Sequence, residues 1–203
     1  MGSTVQSARS RAPHVDNRLP TLLDAAATQF AAKGFQGASI RDIVRTVGML
    51  PGSLYYHFAN KEELLLAVYA EGVRRIDAAV AEAVSRQCDP WARLEAACVA
   101  HLESLLDQSA YAKVVVSVHP RDTSLVANAL TALRDSYERK FVALVAALHL
   151  PGKADRKTMR MLLLGALNWT PVWYRPSGAP PEKLAREYVR MLKRTAGVAP
   201  REV

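Results

Sequence analysis

The chain has 203 residues, half of them apolar, with only 21 Gly and Pro together and a formal net charge of +8. That composition excludes a fibrous or disordered chain and is ample for one large or two small domains with a real core. No apolar run reaches the roughly 18–20 residues of a membrane span.

The opening "MGSTVQSARSRAPHVDNR" has basic residues but no apolar h-region, and Gln6 breaks a myristoylation pattern. Residues 1–16 therefore read as a mobile basic arm, and a cytoplasmic location is expected. Charge is unevenly placed: residues 1–60 carry +3, 61–150 carry −2 and 151–203 carry +7. A basic excess suits a polyanion partner or a solvated basic face.

The apolar periodicity is helical almost throughout. A first helix starts near Asp16 or Asn17, runs on Leu22, Ala26 and Phe30, and stops at Gly34. In a short second helix Ser39 caps, Asp42 stands three residues on, and Ile40, Ile43, Val44 and Val47 form the buried stripe before Gly48. Pro51 then suits the first position of a third helix, with Leu54 and Phe58 as its apolar pair. Asn60 caps a fourth, with Glu62 and Glu63 in its first turn, extending to about Arg86. Further helices are expected over 91–107, 109–118, 122–149, 154–175 and 181–195, broken at Pro90, Pro120, Pro151-Gly152 and "PSGAPP".

Two short helices joined by a Gly-containing turn and braced by others make a helix-turn-helix. At 100° per residue, Leu54 and Phe58 point inward while Tyr56 points almost opposite, flanked by Gly52, Ser53 and Tyr55, with His57 to the other side. Phenol, hydroxyl and imidazole tips suit phosphate oxygens and base edges, and Lys61 adds a charge-assisted phosphate contact. Packing of Tyr55 or His57 against the long fourth helix is the alternative for either residue alone.

No cofactor, catalytic set or metal set is expected. "PGSLYY" is not G-x-S-x-G, the five histidines lack ligand spacing, and Cys88 and Cys98 have no His at zinc spacing, so both read as reduced thiols.

The stretch "LLDAAATQFAAKGFQGASIRDIV" running into "SIRDIVRTVGMLPGSLYYHFANKEELLLAV" resembles the DNA-binding signature of the tetracycline-repressor (TetR/AcrR) family, densely over residues 18–68. The resemblance implies an all-α homodimer: a three-helix DNA reader over 17–60, then a larger ligand-binding and dimerisation domain over 61–203, with 61–86 as the connecting helix. It implies base approach by Gly52, Ser53 and Tyr55, and phosphate contacts by Ser39, Tyr56, His57 and Lys61, on a near-palindromic double-stranded DNA operator. Where many members have a Ser or Thr cap followed by Lys, this chain has Leu50 and Pro51, which shifts readout toward Ser53, Tyr55 and the arm around Arg9, Arg11 and Arg18.

"RDSYERKF" and "LLLGALNWTPVWYRPSG" resemble the C-terminal domain of regulators of lipid, steroid or acyl-CoA catabolism. That implies a small apolar effector, of which an acyl-CoA or steroid-derived thioester is one class. Its expected contacts are His101, Tyr111, Val115, His119, Asn168 and Trp169, all of them also plausible plain core. Leu162, Ala166 and Trp169, with Leu184, Tyr188 and Leu192 at i, i+4, i+8, are expected to form a dimer seam. The rival function is a helical small-molecule carrier that no longer reads DNA.

Overall fold

The computed structural model describes residues 18–119, 123–150 and 154–197, so the arm of residues 1–16, with Arg9 and Arg11, and the breaks at Pro120 and Pro151-Gly152 lie outside the described residues. Among the described residues there are nine helices and no strand: α1 (Leu19–Gly37), α2 (Ile40–Thr46), α3 (Pro51–Tyr55), α4 (Lys61–Ser85), α5 (Pro90–Leu106), α6 (Ala110–Ser117), α7 (Ala127–Ala146), α8 (Arg156–Trp173) and α9 (Pro181–Thr195). None of these helices is long and apolar enough to cross a membrane.

Local chemistry sets the boundaries. α1 bends out of helical geometry at Gly34, whose φ of +69° is open to glycine at little cost. Ser39 accepts the Asp42 amide at 3.1 Å, capping α2. At its other end Gly48 (φ +65°) reverses the chain; its amide bonds Arg45 O at 3.2 Å and the Met49 amide bonds Val44 O at 2.9 Å. That pair of bonds is a glycine-terminated helix end, and the buried Met49 lies on Val44 as that motif favours. Asn60 caps α4 through the Glu63 amide at 2.8 Å while Glu63 reaches back to the Ala59 amide at 2.9 Å. α7 starts later than its apolar pattern suggests, because a turn over Ser124–Val126 precedes it. Arg156 bonds Val145 O in the last turn of α7 at 2.7 Å and Leu148 O just beyond it at 3.0 Å.

Two cores result. Leu22, Phe30, Ile43 and Leu54 close the N-terminal one together with Leu64, Leu65 and Val68 of α4 and with Tyr111 and Val114 of α6. Each fully buried Leu or Ile there contributes about 1.5–3 kcal/mol. The C-terminal core gathers Leu94, Leu102, Phe141, Leu163, Leu167 and Val189 from α5, α7, α8 and α9. α4 runs through both. At about 1.5 Å per residue its 25 residues span roughly 37 Å.

A polar clasp also ties α6 and α4 to α1. The Tyr111 hydroxyl donates to Asp24 Oδ1 of α1 at 2.9 Å, and the Arg75 guanidinium of α4 lies 3.9 Å over the Tyr111 ring. Glu71 accepts from Arg74 at 2.7 Å and from Arg75 at 2.8 Å; these bonds, Arg74's foremost, hold its pKa down to about 2. α4 and α6 cross so closely at Gly72 that a Cβ there would stand 2.6 Å from Val115 Cγ2.

Candidate nucleic-acid interface and effector cavity

α3 is five residues long and is held by Leu54, which is fully buried, and by the partly buried Phe58. The other residues of α3 face out. Gly52 and Ser53 are exposed, and Tyr55 and Tyr56 are 54% and 89% exposed. The Tyr56 ring meets the half-buried His57 edge-on, 5.4 Å between centroids. Five of the expected DNA-facing residues thus lie on or beside α3, and Ser39 is exposed at the start of α2.

Gly52 has a physical peculiarity. A Cβ added there would touch nothing within 4 Å, and its φ is not positive, so the fold itself does not require glycine, which costs a helix about 0.5–1 kcal/mol relative to alanine. Two further exposed groups escaped the sequence reading, Arg41 and Arg45 on α2, and Leu50, expected in place of a capping residue, is exposed before α3. Arg45 also bonds Asp42 at 3.2 Å, and Lys33 reaches Asp42 at 3.4 Å. The Ser39 bond first and the Lys33 charge second lower the Asp42 pKa.

Lys61 has a role that the expectation of a phosphate contact did not include. Its ammonium is engaged within the chain. It donates to Phe35 O at 2.8 Å, Ala38 O at 3.1 Å and Gln36 O at 3.5 Å, and stands 4.4 Å over the Phe35 ring. These are the carbonyls released where α1 breaks at Gly34, so a cation at that negative helix end pins α1 to the start of α4.

In the C-terminal part a cavity of about 280 Å³ opens between α4, α5, α6, α7 and α8. Val73, Ile76, Leu105, Val115, Val116 and Leu164 make its wall. Of the expected ligand contacts, His101, Val115, His119 and Asn168 do line it. Tyr111 does not: its hydroxyl belongs to the Asp24 clasp. Trp169 does not either, because it points outward and is 64% exposed.

The polar floor is a relay. His101 Nδ1 lies 2.7 Å from the Tyr137 hydroxyl and Nε2 lies 3.0 Å from Asn168 Oδ1. The rings of His101 and Tyr137 stack at 5.6 Å. Burial lowers the His101 pKa to about 4 against a weaker upward pull from Asn168, so the imidazole is neutral at pH 7. With an amide oxygen facing Nε2, that nitrogen carries the proton and Tyr137 donates to Nδ1. Arg134, Glu138 and His119 also line the cavity. Tyr69, Arg134, Tyr137 and Glu138 were not named as ligand contacts, although "RDSYERKF" was singled out as a segment; the i, i+3, i+4 spacing of Arg134, Tyr137 and Glu138 was the available signal.

The expected dimer seam is split by the structure. Leu162 and Trp169 are exposed, and Gly165, Val172 and Trp173 extend their stripe along α8. Gly165 has open space where a Cβ would stand. Ala166 is half-buried. Leu192, however, is buried in the C-terminal core, and Leu184 and Tyr188 pack against it. The Tyr188 hydroxyl is held by Thr170 Oγ1 at 3.0 Å. These three residues attach α9 to its own subunit, because the stripe with the greater burial faces α5.

Comparison with known proteins follows the same division. Residues 22–68 match the family described as bacterial regulatory proteins, tetR family, and residues 87–196 match the tetracyclin repressor-like C-terminal domain. The HTH-type transcriptional repressor KstR2 of Mycobacterium tuberculosis is 33% identical over 105 residues, about half the length of each chain. KstR2 of Rhodococcus jostii is 28% identical over 184 residues, covering 86% of this chain and 89% of that one. Among solved structures, the superantigen PfiT superposes with a TM-score of 0.75 at 32% identity, over 87% of this chain and 96% of its own. AibR, crystallised with isovaleryl coenzyme A and operator DNA, shares the fold with a TM-score of 0.72 at 24% identity, over 86% of this chain and 97% of its own. Since the C-terminal match alone takes in more than half of the 203 residues, the chain belongs to the tetracycline-repressor (TetR) family.

Proposed function

We propose that this protein is a homodimeric transcriptional repressor that binds a near-palindromic DNA operator and is released when a small, mostly apolar ligand enters the cavity. The observation that carries the reading is α4. Its first residue pins the DNA-reading helices through Lys61, and Tyr69, Val73 and Ile76 of the same helix line the cavity. A ligand that displaces the wall therefore moves the rod on which α3 is carried. The exposed α8 stripe supplies an apolar face for a two-fold partner, and two subunits are needed to place α3 in successive major grooves about 34–36 Å apart, or a longer multiple.

The ligand class follows from the cavity. At about 280 Å³ it is at the small end of ligand sites, too small for a whole acyl-CoA. An acyl chain or a compact ring system fits, with one oxygen directed to the Asn168 amide N–H, and any coenzyme A moiety left outside. The rival reading, a carrier that has lost DNA recognition, rests on Leu50, which gives α3 no side-chain cap.

Sequencing the genomic fragments that the full chain retains is the test. Enrichment of one near-palindromic site, with 5- to 150-fold weaker binding when a fitting short acyl-CoA, fatty acid or sterol-derived acid is added, is the expected result; that range corresponds to a coupling of about 1–3 kcal/mol. No enriched fragment would favour the carrier. A ligand that binds tightly yet leaves operator affinity unchanged refutes the coupling.

A further inference from the structure

Helices in the major groove commonly read purines with forked side chains, Arg or Lys on guanine and Asn or Gln on adenine. Between Leu50 and Phe58 this chain has no Arg, Lys, Asn, Gln, Asp or Glu. The reading surface offers instead hydroxyls, rings and one large aliphatic group. Leu50 is 76% exposed; among the described residues Tyr56, at 89%, is the one large apolar or aromatic side chain more exposed. Leu50 also occupies the position before the first turn of α3, extended in backbone and making no capping bond. A Ser, Thr, Asp or Asn would stabilise the helix there. The chain thus forgoes a cap and keeps two methyl groups in water, at the edge of the helix that enters the groove first, beside a glycine with nothing within 4 Å of its missing Cβ.

In the major groove the one apolar group on a base pair is the C5-methyl of thymine. We propose that Leu50 reads that methyl group, so that one thymine in each operator half-site is recognised by apolar contact rather than by hydrogen bonding. This rests on the DNA-binding reading above. Two consequences follow from the chemistry. Deoxyuridine, which lacks the methyl but pairs identically, is a poor substitute for that thymine. 5-Methylcytosine at the same position binds better than cytosine, because it restores the methyl.

The experiment uses the operator recovered from genomic fragments and the full-length protein. Each thymine is replaced in turn by deoxyuridine, symmetrically in both half-sites, and affinity is measured at fixed salt. One position is expected to lose about four-fold per half-site, or about fifteen-fold when both are changed, the worth of one buried methyl each. At that position 5-methylcytosine should exceed cytosine by a similar factor. Leu50→Ala, and Leu50→Ser, which restores a capping hydroxyl, should bind thymine and deoxyuridine operators alike while remaining folded. An operator whose thymines can all be exchanged without loss overturns the inference and leaves DNA binding standing. So does a Leu50→Ala protein that still discriminates. A protein that retains no genomic site removes the DNA-binding reading and this inference with it.

Discussion

The ammonium of Lys61 lies among three backbone carbonyls and above an aromatic ring, so its removal acts on folding first. Lys61→Ala should cost about 1–3 kcal/mol, the worth of charged hydrogen bonds left unmade, and leave the salt dependence of operator binding unaltered. A salt slope smaller by about one with unchanged stability would return Lys61 to the phosphate backbone. Two glycines have opposite expectations. Gly52→Ala should raise stability by about 0.5–1 kcal/mol yet weaken operator binding, whereas Gly72→Ala should lower stability by about 1–3 kcal/mol, because its Cβ would stand 2.6 Å from Val115. Urea melts with parallel binding titrations separate the two. His101 adds a pH signature. Its pKa is about 4 folded against an ordinary 6.5, so between these values the unfolded chain takes up a proton that the folded chain refuses. Stability is whole above the upper value and falls as pH drops toward the lower one, by on the order of 3 kcal/mol. Urea midpoints from pH 7 to about 4.5 should slope in the parent and flatten in His101→Gln; equal slopes would contradict this burial.

Among elements, α8 and α9 divide the work expected of a shared seam. α8 has two apolar faces. One is buried against its own subunit through Leu163, Leu164 and Leu167, and the other carries the exposed Leu162 and Trp169. Leu162→Glu with Trp169→Glu should therefore give a folded monomer by light scattering and circular dichroism, while Leu192→Glu should unfold the C-terminal core, since it buries a charge with no partner. A double variant that stays dimeric would move the interface elsewhere. The glycine at 165, open where α8 is exposed, suits close approach of a second helix on that same face.

At the scale of the whole molecule, the N-terminal core is completed by α6, and α6 also walls the cavity through Val115 and Val116. The Tyr111–Asp24 bond is the polar link between that wall and α1. Tyr111→Phe removes one hydroxyl and keeps the ring under Arg75. It should leave ligand affinity for the free protein nearly unchanged but alter the factor by which ligand weakens operator binding, measured as the ratio of operator affinities with and without ligand. An unchanged ratio would take the clasp out of the coupling and leave α4 as its carrier.

Nearest-neighbour chemistry was sufficient for the helices and for the outward face of α3. Gly34, Gly48, Ser39, Asn60 and Pro51 act on backbone groups within a few residues, and the 100° repeat of Leu54 and Phe58 already turns Tyr55 and Tyr56 outward, so these features are legible in one dimension. The roles that depend on residues far apart in the chain were not. Lys61 finds carbonyls more than twenty positions away, Tyr111 finds Asp24, His101 finds Tyr137 and Asn168, and Leu192 turns toward α5 rather than a second subunit. A helical stripe states that a face is apolar without stating what covers it. Which apolar face becomes core, cavity wall or open surface depends on how the helices pack, and packing is a property of the assembled chain.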